Sequence, residues 1–343
     1  MLDELRKIWS EFYVKMLVLI ILIVSMAAAI VPIRSFSAME SAESTNMFKG
    51  KDAVRVLKEQ YENSKGQLST DKINAVLRYY QSIPSQDLAY VESTIQYPGI
   101  INLLLDAYLS VNTDESTNLY KLKDADDFYN RNTVQITAVL NHSTNTYQPW
   151  EKDIVLEKAE SIEKPFKMDF SRQWVFAYRL LTLVFIVIAI SAIIIGSRIF
   201  SYEKEKNMDM ILVTISNKKL RNIARNKVFA LLTFLTIEFL ISMIILTVIF
   251  FSVTGFSAWS SQIQIEYFTS VYKLTFGSAY LLFIFMGWIS IMTIGVLVGT
   301  INALTQKSYS SLVIGFTFVF IPLIITRLGS IPVSVKVFSG ATG

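Results

Sequence analysis

The chain has 343 residues, of which 52% are hydrophobic and 17% charged, and its formal net charge at pH 7 is +4. Its mean hydropathy of +0.42 and its clustered apolar residues exclude an ordinary soluble protein. The net charge of +4 comes mostly from one short basic cluster, within residues 198–227, so it gives little support for nucleic-acid binding. There is no cysteine, so any domain outside the membrane must be stable by packing, without disulfides. This fits a protein of a bacterial surface.

Residues 1–15 have the pattern of an amphipathic helix. Five apolar side chains share one helical face, namely Leu2, Leu5, Ile8, Trp9 and Phe12. The charged residues lie elsewhere, which favours a helix lying in the membrane interface with Trp9 and Tyr13 at headgroup depth. A simple extension of the following apolar segment is the alternative.

Five apolar segments are long enough to cross a membrane, because about 20 helical residues span the hydrocarbon core. They lie near 16–34, 176–198, 228–252, 278–302 and 309–327. The apolar part of the first segment is longer than that of a typical signal peptide, and 15 residues precede it. We therefore interpret it as an uncleaved anchor.

The basic residues predict the orientation, because Lys and Arg near span ends are retained on the cytoplasmic side. With the N-terminus inside, the inner segments hold Arg6, Lys7, Lys15, the cluster within 198–227, and Lys307. The short outer segments hold only Lys273, Arg327 and Lys336. This bias predicts a multi-pass protein of the cell membrane, with a cytoplasmic N-terminus and residues 35–172 outside. The composition is compatible with a Gram-positive bacterium.

The outer segment has helical patterns and almost no alternation of polar and apolar residues. Helices are predicted at 52–61, from N-cap candidates at Ser69, Thr70 and Asp71 to before Pro84, and at 98–109, 124–140 and 150–161. Several aromatic residues could line a groove or form a helical core, and we favour the core: Tyr79, Tyr80, Tyr90, Tyr97, Phe128 and Tyr129.

These patterns predict an all-α polytopic membrane protein with five transmembrane helices and a mainly helical extracellular domain. The predicted parts are a cytoplasmic interfacial helix (1–15), transmembrane helix one (16–34), the extracellular domain (35–172), transmembrane helix two (173–199), a cytoplasmic segment (200–227), transmembrane helices three to five (228–327) and an extracellular tail (328–343).

The motifs of an enzyme are missing from the sequence. No GxxxxGK[ST] pattern is present, so a P-loop for ATP is excluded. The only histidine, His142, lies in a polar loop, a pattern that indicates neither a catalytic triad nor a zinc site. We expect no catalytic residues, no metal site and no cofactor bound by this chain.

Glu238 is the one acid well inside a predicted span. It follows Lys227 by 11 residues, which places it roughly 16 Å into the membrane. A charge at that depth is costly and usually faces a helix bundle or water. Glu238 is therefore either a polar group on a substrate path or a hydrogen-bonded contact between helices. The sequence does not distinguish between these two interpretations.

The segment 200–227, FSYEKEKNMDMILVTISNKKLRNIARNK, combines basic residues with an ordered apolar pattern. Its helical stripe consists of Met208, Ile211, Leu212 and Ile215, at spacing i, i+3, i+4, i+7. Turn-prone Ser216 and Asn217 follow, and then a second stripe leads into the third span. A passive connector needs only a few polar residues. The stripe must therefore be buried against the membrane, the protein's own helix ends or a second protein.

The run Glu203–Lys227 resembles the cytoplasmic segment of type-2 ABC transporter permeases, especially those of Gram-positive bacteria. The matching residues are Glu205, Met208-Asp209, Ile211-Leu212-Val213, Ser216-Asn217, Lys218-Lys219, Arg221 and Lys227. Asn207 and Asn217 stand where glycine is common in that family. The outer sequences at 50–83 and 127–140 are also similar to such permeases, as is the order of one span, a large outer loop and a cluster of spans.

The resemblance implies that the segment is a coupling helix that docks into a cleft on a separate ATPase subunit. The docking residues would be Glu203, Glu205, Met208, Asp209, Ile211, Leu212, Ile215, Lys218, Lys219 and Arg221. ATP and Mg²⁺ would bind to that partner. The permease would be an exporter in the lipid bilayer and would form a homodimer or a heterodimer. No nucleic acid would be bound. Family members usually have six spans, so we expect a sixth span to be missing from this sequence.

Two other functions stay open. A membrane sensor would bind a ligand with the outer domain and signal through the segment 200–227. A secondary transporter would show paired, Gly- or Pro-broken spans and several charges within the membrane. The sequence does not indicate the transported substrate.

Overall fold

The computed structural model describes residues 1–42, 46–108, 119–141, 147–206 and 217–328. In these ranges almost all regular structure is helical. The helices are α1 (Leu2–Ser10), α2 (Phe12–Ser35), α3 (Lys51–Ser64), α4 (Thr70–Ser82), α5 (Gln86–Gln96), α6 (Ile100–Tyr108), α7 (Phe128–Asn141), α8 (Pro149–Glu160), α9 (Arg172–Gly196), α10 (Tyr202–Glu205), α11 (Asn217–Thr254), α12 (Phe276–Thr305) and α13 (Ser308–Leu328).

Within the described ranges, four helices are long and apolar enough to cross a membrane. They are Phe12–Ser35, Arg172–Gly196, Leu220–Thr254 and Phe276–Thr305. The prediction of an all-α polytopic membrane protein is therefore confirmed. A shorter apolar stretch, Ser308–Ile321, lies where the fifth span was predicted, and that this helix crosses the membrane stays a prediction.

The chain divides into two compact units. The first contains the described residues of Met1–Ile30, Tyr178–Phe250 and Leu282–Ile331. Its helices α9 and α12 approach closely, because a Cβ placed on Gly196 would lie 3.2 Å from the carbonyl oxygen of Gly295. Glycine at this crossing lets the two backbones pack against each other.

The second unit contains the described residues of Val31–Ala177 and Phe251–Leu281. It holds helices α3 to α8 and two antiparallel pairs of short strands. These are β1 (Ser37–Met39) with β2 (Met47–Lys49), and β3 (Gly66–Gln67) with β4 (Lys167–Met168). Single 3₁₀ turns lie at Leu119–Lys121 and Ile263–Ile265.

The core of the second unit is helical and partly aromatic. Of the six aromatic residues expected in this core, Tyr80 and Phe128 are buried and Tyr90 is 42% exposed, while the other three are half-buried. Tyr79 packs edge-on against Tyr97, with ring centroids 5.4 Å apart. Of the three N-cap candidates, Ser69 caps helix α4, since its hydroxyl accepts a hydrogen bond from the backbone N–H of Lys72 at 3.3 Å. His142 lies outside the described residues.

Candidate functional site

The structure describes only some of the residues that were predicted to dock an ATPase. Met208, Asp209, Ile211, Leu212 and Ile215 lie outside the described residues. The backbone of Lys218 and Lys219 belongs to the first turn of helix α11, and the Arg221 side chain is exposed one turn later. Glu203 and Glu205 are described fully and lie in helix α10, immediately before the segment 207–216.

Glu203 connects three helices through a buried ion cluster. Its residue is only 6% exposed, and that of Lys227 on helix α11 is 3% exposed. The Lys227 ammonium donates to Glu203 Oε2 and, at 2.8 Å, to the carbonyl oxygen of Ile199. Lys7 Nζ on helix α1 lies 3.4 Å from the other carboxylate oxygen. A docking surface needs exposed side chains, but the Glu203 carboxylate is buried and binds Lys227 and Lys7 of the same chain.

The remaining contacts of this cluster stabilise the positive charges of both lysines. The Lys227 ammonium lies 5.6 Å from the ring centroid of Phe200, a favourable cation–π distance. Lys7 also pairs with Glu4 on its own helix at 2.9 Å. Partial burial works against the charge of Lys7, but Glu4 and Glu203 outweigh it and raise the pKa of Lys7 above its ordinary value. The cluster therefore holds helix α1 against the start of helix α10.

Asn302, near the C-terminal end of helix α12, forms the second connection. Its side chain is fully buried. The Oδ1 atom accepts hydrogen bonds from the backbone N–H groups of Phe200 and Ser201, at 2.8 and 3.0 Å. Its Nδ2 donates to the hydroxyls of Ser201 and Ser311, both at 3.2 Å. Asn302 thereby satisfies two donors of the turn between helices α9 and α10.

Glu205 forms the third connection, toward helices α9 and α13. Its carboxylate pairs with Arg198 at 2.8 Å and accepts a hydrogen bond from the Ser308 hydroxyl. Burial acts to raise the pKa of Glu205, but the hydrogen bonds from Ser308 and Arg198 hold it below its ordinary value. The Arg198 guanidinium in turn lies 4.8 Å from the ring centroid of Tyr13.

We call these residues the anchor network. It consists of Lys7, Arg198, Ser201, Glu203, Glu205, Lys227, Asn302, Ser308 and Ser311. The network joins helix α10, where the chain enters the segment 207–216, to helices α1, α9, α11, α12 and α13. Its contact on helix α11, Lys227, lies 11 residues after the segment. A displacement of helix α10 would therefore act on all of these helices together.

Sequence reasoning found only part of this network. Glu203 and Glu205 were predicted as charged groups at the rim of a docking face, and Lys227 entered as part of the resemblance. The contribution of Asn302 was missed. Its signal is a run of polar residues at every third position across the end of an apolar segment: Asn302, Thr305, Ser308 and Ser311.

Glu238 lies apart from the network, between helices α9 and α11. Its residue is buried, and the Ser191 hydroxyl lies 3.1 Å from each carboxylate oxygen. The Ser242 hydroxyl donates to the backbone oxygen of Glu238 at 2.8 Å. Of the two interpretations that the sequence left open, this geometry favours a polar contact between helices.

This contact gives a prediction about stability. We expect Glu238→Gln to change the midpoint of thermal unfolding little, because the amide still offers an acceptor to Ser191. Ser191→Ala should cost about 1–3 kcal/mol, since a buried polar group loses its partner. The measurement is thermal unfolding of the purified protein in detergent, with Ser290→Ala, an exposed serine on helix α12, as control. An equal loss in Glu238→Gln and Ser191→Ala would contradict this assignment.

Comparison of the chain with protein-family models, curated proteins and solved structures gave no match. The described residues also contain no group of three or more His, Cys, Asp or Glu side chains placed to hold a metal ion.

Proposed function

We propose that this chain is the membrane-spanning permease subunit of a type-2 ABC transporter, an exporter driven by a separate ATPase subunit. The observation that carries the proposal is the anchor network around Glu203 and Glu205. It ties helix α10, immediately before the segment 207–216, to helix α11 through Lys227 and to helix α13 through Ser308. The turn before helix α10 is tied to helix α12 through Asn302. A connector without a mechanical role needs no such arrangement.

In this proposal the apolar stripe of the segment fills a cleft on the ATPase. Met208, Ile211, Leu212 and Ile215 provide the buried contact, and the charged residues Asp209, Lys218, Lys219 and Arg221 set the register at its rim. ATP and Mg²⁺ bind to the partner subunit, whose closure moves the docked segment. Two permease chains, identical or different, form the transport pathway.

The anchor network would transmit this movement. Glu203 joins the segment to helix α11 through Lys227 and to helix α1 through Lys7. Glu205 joins it to helix α9 through Arg198 and to helix α13 through Ser308. Because each connection is short, and the ion cluster with Lys227 is buried, the helix ends follow the segment instead of moving independently. Such a rigid linkage suits alternation between inward-open and outward-open states.

The proposed location is the cell membrane of a Gram-positive bacterium, with a cytoplasmic N-terminus. The excess of Lys and Arg in residues 1–15 and 198–227 over the short segments on the other side supports this orientation. The ATPase would then meet the segment 207–216 in the cytoplasm, where ATP is available.

The proposal is tested by co-purifying the chain with candidate ATPase subunits. We expect Ile211→Asp combined with Leu212→Asp to abolish association and permease-dependent ATP turnover, because two charges would enter an apolar cleft. The matched control is Val134→Asp combined with Ile154→Asp, two exposed apolar residues of the second unit, which should leave both intact. Unchanged association and turnover in the Ile211/Leu212 variant would contradict the proposed function.

A further inference from the structure

A second feature, independent of the anchor network, is a collar of aromatic rings in the second unit. Its members are Trp174, Phe251, Phe256, Trp259, Phe276 and Tyr280. Trp174 is fully buried at the centre. Its ring centroid lies 4.9 Å from that of Phe251 and 5.6 Å from that of Trp259. The rings come from the start of helix α9, the end of helix α11, the start of helix α12 and the loop 255–260.

The loop 255–260 is held in one conformation by its backbone contacts. The carbonyl oxygen of Ser257 accepts from Trp174 Nε1 at 2.7 Å and from Gln173 Nε2 at 2.9 Å. The N–H of Ala258 donates to Asp169 Oδ2 at 3.1 Å. Ala258 itself has a φ of 59°, a left-handed conformation that costs a residue other than glycine about 1–2 kcal/mol. The hydrogen bonds of the loop therefore offset the conformational cost at Ala258 and keep the loop in place.

Two apolar rings of this fixed loop are nevertheless exposed. Phe256 is 50% exposed and Trp259 is 39% exposed. The Trp259 ring lies directly against Gly277, where an added Cβ would be 2.2 Å from it, so only glycine permits this placement. Full burial of a Phe side chain is worth about 1.5–3 kcal/mol. A rigid loop whose rings are left partly uncovered by the described residues indicates another apolar environment around them.

The position of the collar identifies that environment. Helices α9, α11 and α12 are each long and apolar enough to span the membrane, and the collar surrounds the ends of all three. Aromatic side chains are enriched at this level, where the hydrocarbon meets the headgroups. Two amines lie at the same loop. Lys167 Nζ donates to the Ser260 hydroxyl at 3.0 Å, and a Cβ on Gly255 would lie 2.9 Å from Lys58 Nζ. Amines at this depth suit lipid phosphates.

We propose that Phe256 and Trp259 are seated in the headgroup and glycerol layer of the bilayer. The loop 255–260 is then a lipid-contacting loop of the second unit, and phospholipid covers its exposed face. Neither a protein ligand nor a second copy of the chain is needed to cover these rings. The inference does not depend on the transport proposal, because it uses the spanning helices alone.

Because the chain has no cysteine, single cysteines can report the depth of chosen positions. A nitroxide label is attached to Phe256→Cys in phosphatidylcholine and phosphatidylglycerol vesicles, and its relaxation by oxygen and by a water-soluble nickel complex is measured. The references are Ile244→Cys on helix α11, 61% exposed, and Trp150→Cys on helix α8, 62% exposed. Trp259→Cys is a second reporter in case the first variant folds poorly.

We expect the oxygen-to-nickel accessibility ratio at position 256 to fall between those of the two references, several-fold above the value at position 150. A ratio equal to that at position 150 would show the loop in water and overturn the proposal. Low accessibility to both reagents would show a protein surface covering the rings, and this would overturn it as well.

Discussion

Replacing Lys227 by methionine is expected to destabilise the protein by about 3–5 kcal/mol, because the Glu203 carboxylate remains buried without its closest partner. Lys7 lies farther away, at 3.4 Å, and is partly exposed, so it compensates only in part. Replacing both residues, as Glu203→Gln with Lys227→Met, removes the uncompensated charge. We therefore expect the double variant to be more stable than Lys227→Met alone.

The measurement is thermal unfolding in detergent of the wild type, the two single variants and the double variant, arranged as a double-mutant cycle. Lys65→Met is a suitable control, since Lys65 pairs with Glu62 on an exposed surface, and exposed pairs contribute little. Additive losses in the cycle would show that Glu203 and Lys227 do not interact, and the anchor network would lose its central ion pair.

Replacing Asn302 by leucine is expected to have the second large effect. The change leaves the backbone N–H groups of Phe200 and Ser201 buried without an acceptor. Each unsatisfied donor costs about 1–3 kcal/mol, so the loss should be several kcal/mol. It should also be local, because the turn between helices α9 and α10 loses the group that holds it.

Hydrogen exchange separates this local effect from a general loss of stability. We expect amide exchange in residues 198–206 of Asn302→Leu to be faster than in the wild type, while helices α3 to α7 keep their protection. The matched control is Asn102→Leu, an exposed asparagine whose side chain accepts from Tyr90 at 3.3 Å. Unchanged exchange in residues 198–206 would show that Asn302 does not hold the turn.

The membrane helices were predictable from the sequence because each contains an apolar run of sufficient length, uncharged except for Glu238 in the third. The cap at Ser69 was also predictable, since a capping side chain acts within three residues. Helix α5 was missed: it begins shortly after Pro84, and of its residues only Ala89 and Ser93 are buried, so its periodic apolar pattern is weak.

The anchor network was less accessible to sequence reasoning because its contacts are distant along the chain. Asn302 bonds to residues about 100 positions away, and Lys7 pairs across 196 positions. Charged residues at the end of a membrane span are typical of exposed, topology-determining positions. The sequence therefore predicts Glu203 at the exposed rim of a docking surface. Only the packing of several helix ends shows that its carboxylate is buried.

Site-specific crosslinking tests the docking of an ATPase most directly. A photoactivatable crosslinker is attached to Ile211→Cys in the otherwise cysteine-free chain, and native membranes that contain the candidate ATPase are irradiated. We expect a crosslinked product that contains the ATPase subunit, identified by mass spectrometry, and none from the control Trp150→Cys. If position 211 crosslinks only to lipid or to its own chain, the segment does not dock an ATPase and the proposed function is wrong.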